Sequence, residues 1–199
     1  GPLGVVDSTG APVALQGGRQ QRLVAALVLH AARELSADVL AELIWGDDLP
    51  AHPTAAVQTH VSRLRRLLGD GVVVSRPRGY VLAPDATDID SDEFDRRVSD
   101  ALQVRPDDPA RALELLDDAL GLWRGDAYAG FEDWERARAE AARLHELRLL
   151  ALEERFEALL ALGREEEAAA ELAAIATPEQ LRERLQALSM TALYRAGLP

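Results

Sequence analysis

The spacing of apolar residues along the chain changes from a strand-like to a helical pattern near residue 19. Residues 3–6 and 12–15 are short apolar runs separated by the turn-forming segment 7–10, which predicts a small antiparallel sheet. From Arg19 the apolar positions recur every three or four residues, as on one face of a helix. The pattern therefore predicts a short sheet followed by a first helix that ends near His30.

Two further helices are predicted between residues 36 and 69. Ser36 is a suitable N-cap for the second helix, and Gly46 is a suitable residue to end it. The third helix is predicted over 54–68. Its apolar positions fall on one side, and its hydrogen-bonding and cationic positions fall on the other.

A β-hairpin is predicted over 72–82, because two strand-like runs flank the turn Arg76-Pro77-Arg78-Gly79. Three helices followed by a hairpin with arginines at its tip are the outline of a winged helix. We therefore predict that residues 1–84 form an α+β winged helix-turn-helix domain.

The second half of the chain contains only helical patterns. An Asp-rich stretch after Pro84 marks the predicted domain boundary, so residues 85–199 are expected to form one all-α domain. The predicted helices lie at about 90–102, 109–123, 133–162, 165–176 and 179–196. Stacked antiparallel helix pairs are the natural packing for such a series. No clean 34-residue repeat is present, so the tetratricopeptide-like character is structural and weak.

The composition excludes several classes of protein. The 199 residues include no cysteine, which excludes disulfide scaffolds, thiolate catalysis and cysteine-ligated zinc. All 22 basic residues are arginine, and the absence of lysine excludes Walker A, pyridoxal and kinase sites. The four histidines lack metal-ligand spacing, and adjacent carboxylates diverge on a helix. We therefore expect a protein that is not an enzyme and that uses no cofactor or metal.

The net charge of −12 is unevenly distributed. Residues 1–84 carry eight arginines against seven acidic residues, and residues 52–84 carry five arginines against Asp70 alone. The second half holds the remaining 14 arginines and 27 acidic residues. No apolar stretch is long enough to span a membrane and no signal peptide is evident, so we expect no membrane partner and a cytoplasmic protein.

The polar face of helix 54–68 has the side chains that read DNA. Amide, hydroxyl and guanidinium groups recognise base edges in the major groove, and flanking cations bind phosphates. The candidate base-reading residues are Gln58, Thr59, Ser62 and Arg63, and the candidate phosphate ligands are His60, Arg65 and Arg66. Taken alone, the same pattern is equally typical of an ordinary solvated helix face.

Two neighbouring features favour the DNA interpretation. Arg76 and Arg78 at the hairpin tip are suited to entering a narrow minor groove. Arg19 follows two glycines at the start of the first helix, where a DNA phosphate is a plausible anion.

The motifs of both halves resemble a known family. Residues 58–69 and 75–82 look like the recognition helix and wing of OmpR-type winged helices, and residues 43–47 look like the end of that family's second helix. Three later segments, 119–125, 146–155 and 181–197, are similar to the bacterial transcriptional activation domain. Together they resemble the SARP family of pathway-specific activators of antibiotic gene clusters in actinomycetes.

The resemblance implies a transcriptional activator that binds direct repeats in double-stranded DNA. Family members bind as two or more adjacent copies and recruit RNA polymerase through contacts that include the principal sigma factor. The family pattern assigns base reading to Gln58, Thr59, Ser62 and Arg63, phosphate contact to His60 and Arg66, and wing contact to Arg76 and Arg78. The family's helical domain normally continues beyond the position of Pro199, so we expect the chain to be a trimmed part of a larger regulator.

Two other interpretations stay open at this point. One is a helical scaffold whose winged helix binds protein, and the other is a regulatory fragment of a larger ATP-driven switch. A protein-binding face is expected to expose large apolar anchors, and helix 54–68 offers none in its polar pattern. Nothing in the sequence discriminates against the second interpretation.

Overall fold

The computed structural model describes residues 1–7, 9–31, 33–83, 85, 87–175 and 183–197. The chain forms two compact units. Unit 1 comprises residues 1–89 and 125–141, and unit 2 comprises residues 90–124 and the described residues from 142 onward. The predicted boundary after residue 84 stays a prediction. The structure adds that segment 125–141, which the sequence pattern grouped with the second half, packs in unit 1.

The elements of unit 1 follow the predicted order. They are α1 (Gly18–Leu29), α2 (Ala37–Trp45), α3 (Pro53–Leu68), β1 (Val73–Arg76) and β2 (Gly79–Leu82). The Ser36 side chain caps α2 by accepting a hydrogen bond from the Val39 amide at 3.2 Å. Pro53 begins α3 and Gly69 ends it with a φ of +99°. The three helices and the hairpin predicted for the winged helix are therefore confirmed.

The predicted sheet at the N-terminus is reduced to a single bridge in the described residues. Val6 and Pro12 form an isolated antiparallel bridge, and neither predicted run forms a regular strand. The Asp7 carboxylate closes the turn by accepting from the Thr9 and Ala11 amides at 2.8 and 3.0 Å. An isolated two-stranded pair is marginal without a further strand beside it, which explains the short pairing.

The segment before α2 pairs with strand β2 of the hairpin through backbone hydrogen bonds. Strands β1 and β2 pair antiparallel with Arg76 opposite Gly79. On the other side of β2, Leu35 and Tyr80 exchange two backbone hydrogen bonds, each 2.8 Å long. Gly79 lies so close to this segment that an added Cβ would be 1.9 Å from the Leu35 carbonyl oxygen. A glycine is required there because no side chain fits the gap.

Segment 125–141 completes the core of unit 1. Phe131, Trp134 and Ala137 are buried among the side chains of α1, α2 and α3. Arg22 of α1 lies over the Trp134 ring at 5.3 Å and forms an ion pair with Asp133 at 2.5 Å. Segment 125–141 thus contributes the buried aromatic residues Phe131 and Trp134 to the first unit.

All regular secondary structure in the described residues of unit 2 is α-helical, with turns between the helices. Its elements are α4 (Asp90–Val104), α5 (Pro109–Leu120), the later part of α6 (Glu135–Ala161), α7 (Glu165–Ile175) and α8 (Glu183–Arg195). Helices α4 and α5 pack against each other, as do α7 and α8. Phe156 of α6 is fully buried in the apolar cluster that it shares with α7 and α8. Residues 179–182, at the start of the last predicted helix, lie outside the described residues.

Arginine side chains join the helices of unit 2. Arg155 of α6 pairs with Asp117 of α5 at 2.5 Å and with Glu171 of α7. Arg184 of α8 pairs with Glu153 and Glu154 of α6 at 3.3 and 2.9 Å. These pairs neutralise part of the acidic charge within unit 2. None of the helices in the described part of the chain is long and apolar enough to cross a membrane.

Candidate nucleic-acid interface

Helix α3 presents one apolar face to the core and one polar face to solvent. Val57, Val61 and Leu64 are buried in the core of unit 1. The opposite face carries the exposed side chains of Gln58, Thr59, Ser62, Arg63 and Arg66. The exposed Thr59 hydroxyl donates to the Ala55 carbonyl at 2.9 Å. Four predicted base-reading residues therefore lie together on one accessible helix face.

The electrostatics of α3 are favourable for an anionic partner. The helix contains no carboxylate, and Arg65 and Arg66 lie in its last turn. Cations near a helix C-terminus are stabilised by the helix dipole, so these arginines cost the fold little. Leu67 is the exception to the predicted polar surface, because its side chain is 37% exposed.

Arg65 differs from Arg63 and Arg66 of α3, because its guanidinium group is hydrogen-bonded to strand β1. Its Nε donates to the Val73 carbonyl at 2.7 Å, and its Nη2 donates to the Ser75 hydroxyl at 3.0 Å. These hydrogen bonds tie the hairpin to the helix. The predicted phosphate contact of Arg65 stays a prediction, and its observed contacts are structural.

His60 and Arg19 meet at the side chain of Trp45, the last residue of α2. The His60 ring packs edge-on against Trp45 with 5.5 Å between ring centroids, and the Arg19 guanidinium lies 5.8 Å from the Trp45 ring. Burial lowers the pKa of His60, and the positive charges of Arg63 and Arg19 lower it further. A lowered pKa favours the neutral form of the His60 ring, which can offer a phosphate one N–H donor.

The start of α1 lies beside this cluster. Gly17 occupies the N-cap position with a φ of +81° and supplies no side-chain cap, so the first amides of α1 receive no capping side chain. Arg19, the predicted anion position of α1, therefore lies close enough to His60 of α3 for their charges to interact.

The hairpin arginines are both exposed, and Arg78 is partnered. The Arg78 side chain is 90% exposed, with its Nε 3.8 Å from a carboxylate oxygen of Glu34. The Arg78 backbone amide also donates to Glu34. Arg76, at the end of β1, is exposed as well.

Sequence reasoning missed two residues that shape this surface. Trp45 entered the sequence analysis only within segment 43–47, because its ring contacts with Arg19 and His60 depend on tertiary structure. Glu34 gave no signal in the sequence, because its contact with the hairpin tip spans more than 40 residues of chain.

Two family models together match nearly the whole chain. Residues 10–82 match the model described as "Transcriptional regulatory protein, C terminal". Residues 89–198 match the model described as "Bacterial transcriptional activator domain". The two matches meet in the Asp-rich stretch between the winged helix and the helices of unit 2.

Curated proteins and a solved structure show the same similarity over nearly the whole of this chain. The chain is 35% identical to the transcriptional regulator RedD of Streptomyces coelicolor, covering 99% of this chain and 58% of RedD. It is 31% identical to the regulatory protein DnrI of Streptomyces peucetius, covering 99% of this chain and 76% of DnrI. The structure of Mycobacterium tuberculosis EmbR in complex with a low affinity phosphopeptide superimposes with a TM-score of 0.83 at 30% identity. That match covers 94% of this chain and 52% of EmbR. The predicted fold class is confirmed by these matches.

Proposed function

Because this chain belongs to the SARP family of bacterial transcriptional regulators, we propose that it is a sequence-specific DNA-binding transcriptional activator. The family consists of transcriptional regulators and not of enzymes. We further propose that the gene cluster it activates directs the synthesis of a secondary metabolite such as an antibiotic. Its place of action is the cytoplasm, at the nucleoid.

The observation that carries the proposal is the exposed face of α3. Gln58, Ser62 and Arg63 project from a helix that has no acidic residue, and the arginine-tipped hairpin packs against the same helix through Arg65. An α-helix fits the major groove, where amide and guanidinium groups discriminate bases. This geometry supports docking of α3 in the major groove with the hairpin reaching the neighbouring minor groove.

The proposed roles divide the interface residues into those that contact base edges and those that contact phosphates or enter the minor groove. Base edges are read by four residues of α3, namely Gln58, Thr59, Ser62 and Arg63. Phosphates are bound by Arg19, His60 and Arg66, and the minor groove is entered by Arg76 and Arg78. Arg65 contributes by holding the hairpin in place, with phosphate contact as an additional role.

The partners of the protein follow from the same proposal. Two or more copies bind adjacent direct repeats, and the bound copies recruit RNA polymerase through contacts that include the principal sigma factor. The acidic second half of the chain is repelled by the phosphate backbone, which helps the basic surface of unit 1 to face the duplex.

Selection from a pool of random duplexes at increasing salt tests this function. We expect retention at low salt, a steep loss of binding as salt rises, and enrichment of direct repeats spaced by about 10–11 base pairs. Failure of the chain to bind any duplex at low salt would overturn the proposal and favour a protein-binding scaffold.

A further inference from the structure

Glu34 lies in the short connection between α1 and α2, next to the hairpin. The following residue, Leu35, forms the reciprocal pair of 2.8 Å hydrogen bonds with Tyr80 of β2. This pairing fixes the backbone of Glu34 relative to β2, while its side chain stays about a quarter exposed, at 23%. Glu34 is thus a partly buried carboxylate held at the edge of the proposed DNA-binding surface.

The Glu34 carboxylate has two separate contacts with Arg78. One oxygen accepts a hydrogen bond from the Arg78 backbone amide, and the other lies 3.8 Å from the Arg78 Nε. Arg76 and Gly79 are the last paired residues of the hairpin, so the Arg78 amide lies in the turn and outside the β-ladder. Glu34 therefore supplies an acceptor for a donor that the hairpin itself does not satisfy.

These contacts have opposite consequences for DNA binding. The backbone hydrogen bond fixes the conformation of the tip, which lowers the entropy lost when the tip enters a groove. The carboxylate charge attracts the same guanidinium that a DNA phosphate would attract, and it repels the phosphate itself. A neutral acceptor at this position would keep the first effect and remove the second.

We propose that Glu34 is a positioning residue that fixes the hairpin tip through the Arg78 amide while its charge limits the affinity of the tip for DNA phosphates. The proposal rests on the DNA-binding function proposed above. Arg78 exchanges the Glu34 carboxylate for a phosphate when the hairpin docks, and the backbone hydrogen bond persists through that exchange.

Three variants separate the two effects. Glu34→Gln keeps an acceptor for the Arg78 amide and removes the charge, whereas Glu34→Ala removes both. Glu42→Gln is the matched control, because Glu42 is an exposed carboxylate of α2 in the same unit and its loss changes the net charge equally. Each variant is titrated with a selected duplex and with a random duplex at several salt concentrations.

We expect Glu34→Gln to bind both duplexes about two- to fivefold more tightly than the wild type, the range set by exposed ion pairs. Its salt dependence should be steeper by up to about 0.9 in the slope of log K against log salt, the value of one phosphate contact. Glu34→Ala should bind about two- to tenfold more weakly than Glu34→Gln, because the tip loses a hydrogen bond. Affinity of Glu34→Gln equal to or below that of Glu42→Gln would overturn the proposal.

Hydrogen exchange of the Arg78 amide tests the positioning role without DNA. Exchange should be faster in Glu34→Ala than in the wild type and close to the wild-type rate in Glu34→Gln. Equal rates in all three proteins would overturn the positioning role. If the wild type bound no duplex, the proposed function would fail, and the exchange rates would still decide whether Glu34 fixes the tip.

Discussion

Replacing Gly79 by alanine tests the packing that fixes the hairpin against the segment before α2. The added Cβ would lie 1.9 Å from the Leu35 carbonyl oxygen and 2.8 Å from the Ser36 Cα, both of which are backbone atoms. Carbon and oxygen rarely approach closer than about 3.3 Å, so the two segments must separate by about 1.4 Å. That separation breaks both hydrogen bonds between Leu35 and Tyr80, which are 2.8 Å long.

The magnitude follows from these two losses and the strain of forced contact. Two backbone hydrogen bonds and an overpacked contact together cost about 2–6 kcal/mol in the free energy of unfolding of unit 1. Gly71→Ala is the matched control, because a Cβ at Gly71 meets no atom within 4 Å. The control should leave the free energy of unfolding within about 0.5 kcal/mol of the wild type.

Urea unfolding followed by tryptophan fluorescence measures the difference. The measurement is made in a Trp123→Phe background, so that the signal comes from Trp45 and Trp134 of unit 1. A free energy of unfolding for Gly79→Ala that equals that of Gly71→Ala would refute the close approach on which the reasoning rests.

Three further predictions concern unit 1. Trp134→Ala should lower the free energy of unfolding of unit 1 by about 3–5 kcal/mol in the same assay, because a buried aromatic side chain of segment 125–141 is lost. A decrease typical of surface positions would contradict the place of Trp134 in the core. Arg65→Ala should cost about 1.5–3 kcal/mol and weaken DNA binding by freeing the hairpin; unchanged unfolding and binding would show that the hairpin needs no tie to α3. The pKa of His60 should lie below its ordinary value of 6.5 when its ring protons are titrated by NMR, with burial as the main cause. The unfolded chain then binds the proton more readily, so stability falls as the pH is lowered below 6.5; a pKa at or above 6.5 would be inconsistent with this environment.

The helices were predictable because each is set by local patterns. Ser36 and Gly46 bound α2 as the capping preferences indicate, and the buried face of α3 follows directly from its period. The two N-terminal strands were overpredicted, because strand pairing depends on partners that the local pattern does not reveal. The single bridge between Val6 and Pro12 is what remains in the described residues.

Which segments of the chain make up unit 1 was less predictable, because this depends on contacts between residues far apart in sequence. Segment 125–141 lies beyond two helices of unit 2 in the chain, yet Phe131 and Trp134 pack in the first core. The sequence pattern could identify these side chains as apolar but gave no information on which core they enter.

The sequence predicted which side chains share the exposed face of α3, but it did not predict the contacts of the arginines with the rest of the protein. The exposure of Gln58, Thr59, Ser62 and Arg63 follows from the helical period alone. The tie of Arg65 to β1 and the tether of Arg78 to Glu34 depend on tertiary structure, so sequence reasoning assigned both arginines to DNA without seeing their protein partners.

The most direct test of the account compares Arg63→Ala and Arg66→Ala on a selected direct repeat and on a scrambled duplex at one salt concentration. The account predicts that Arg63→Ala loses about 1–3 kcal/mol of binding free energy on the repeat and much less on the scrambled duplex. It predicts that Arg66→Ala weakens binding to both duplexes alike. An equal loss of affinity for Arg63→Ala on both duplexes would contradict the claim that the exposed face of α3 reads sequence.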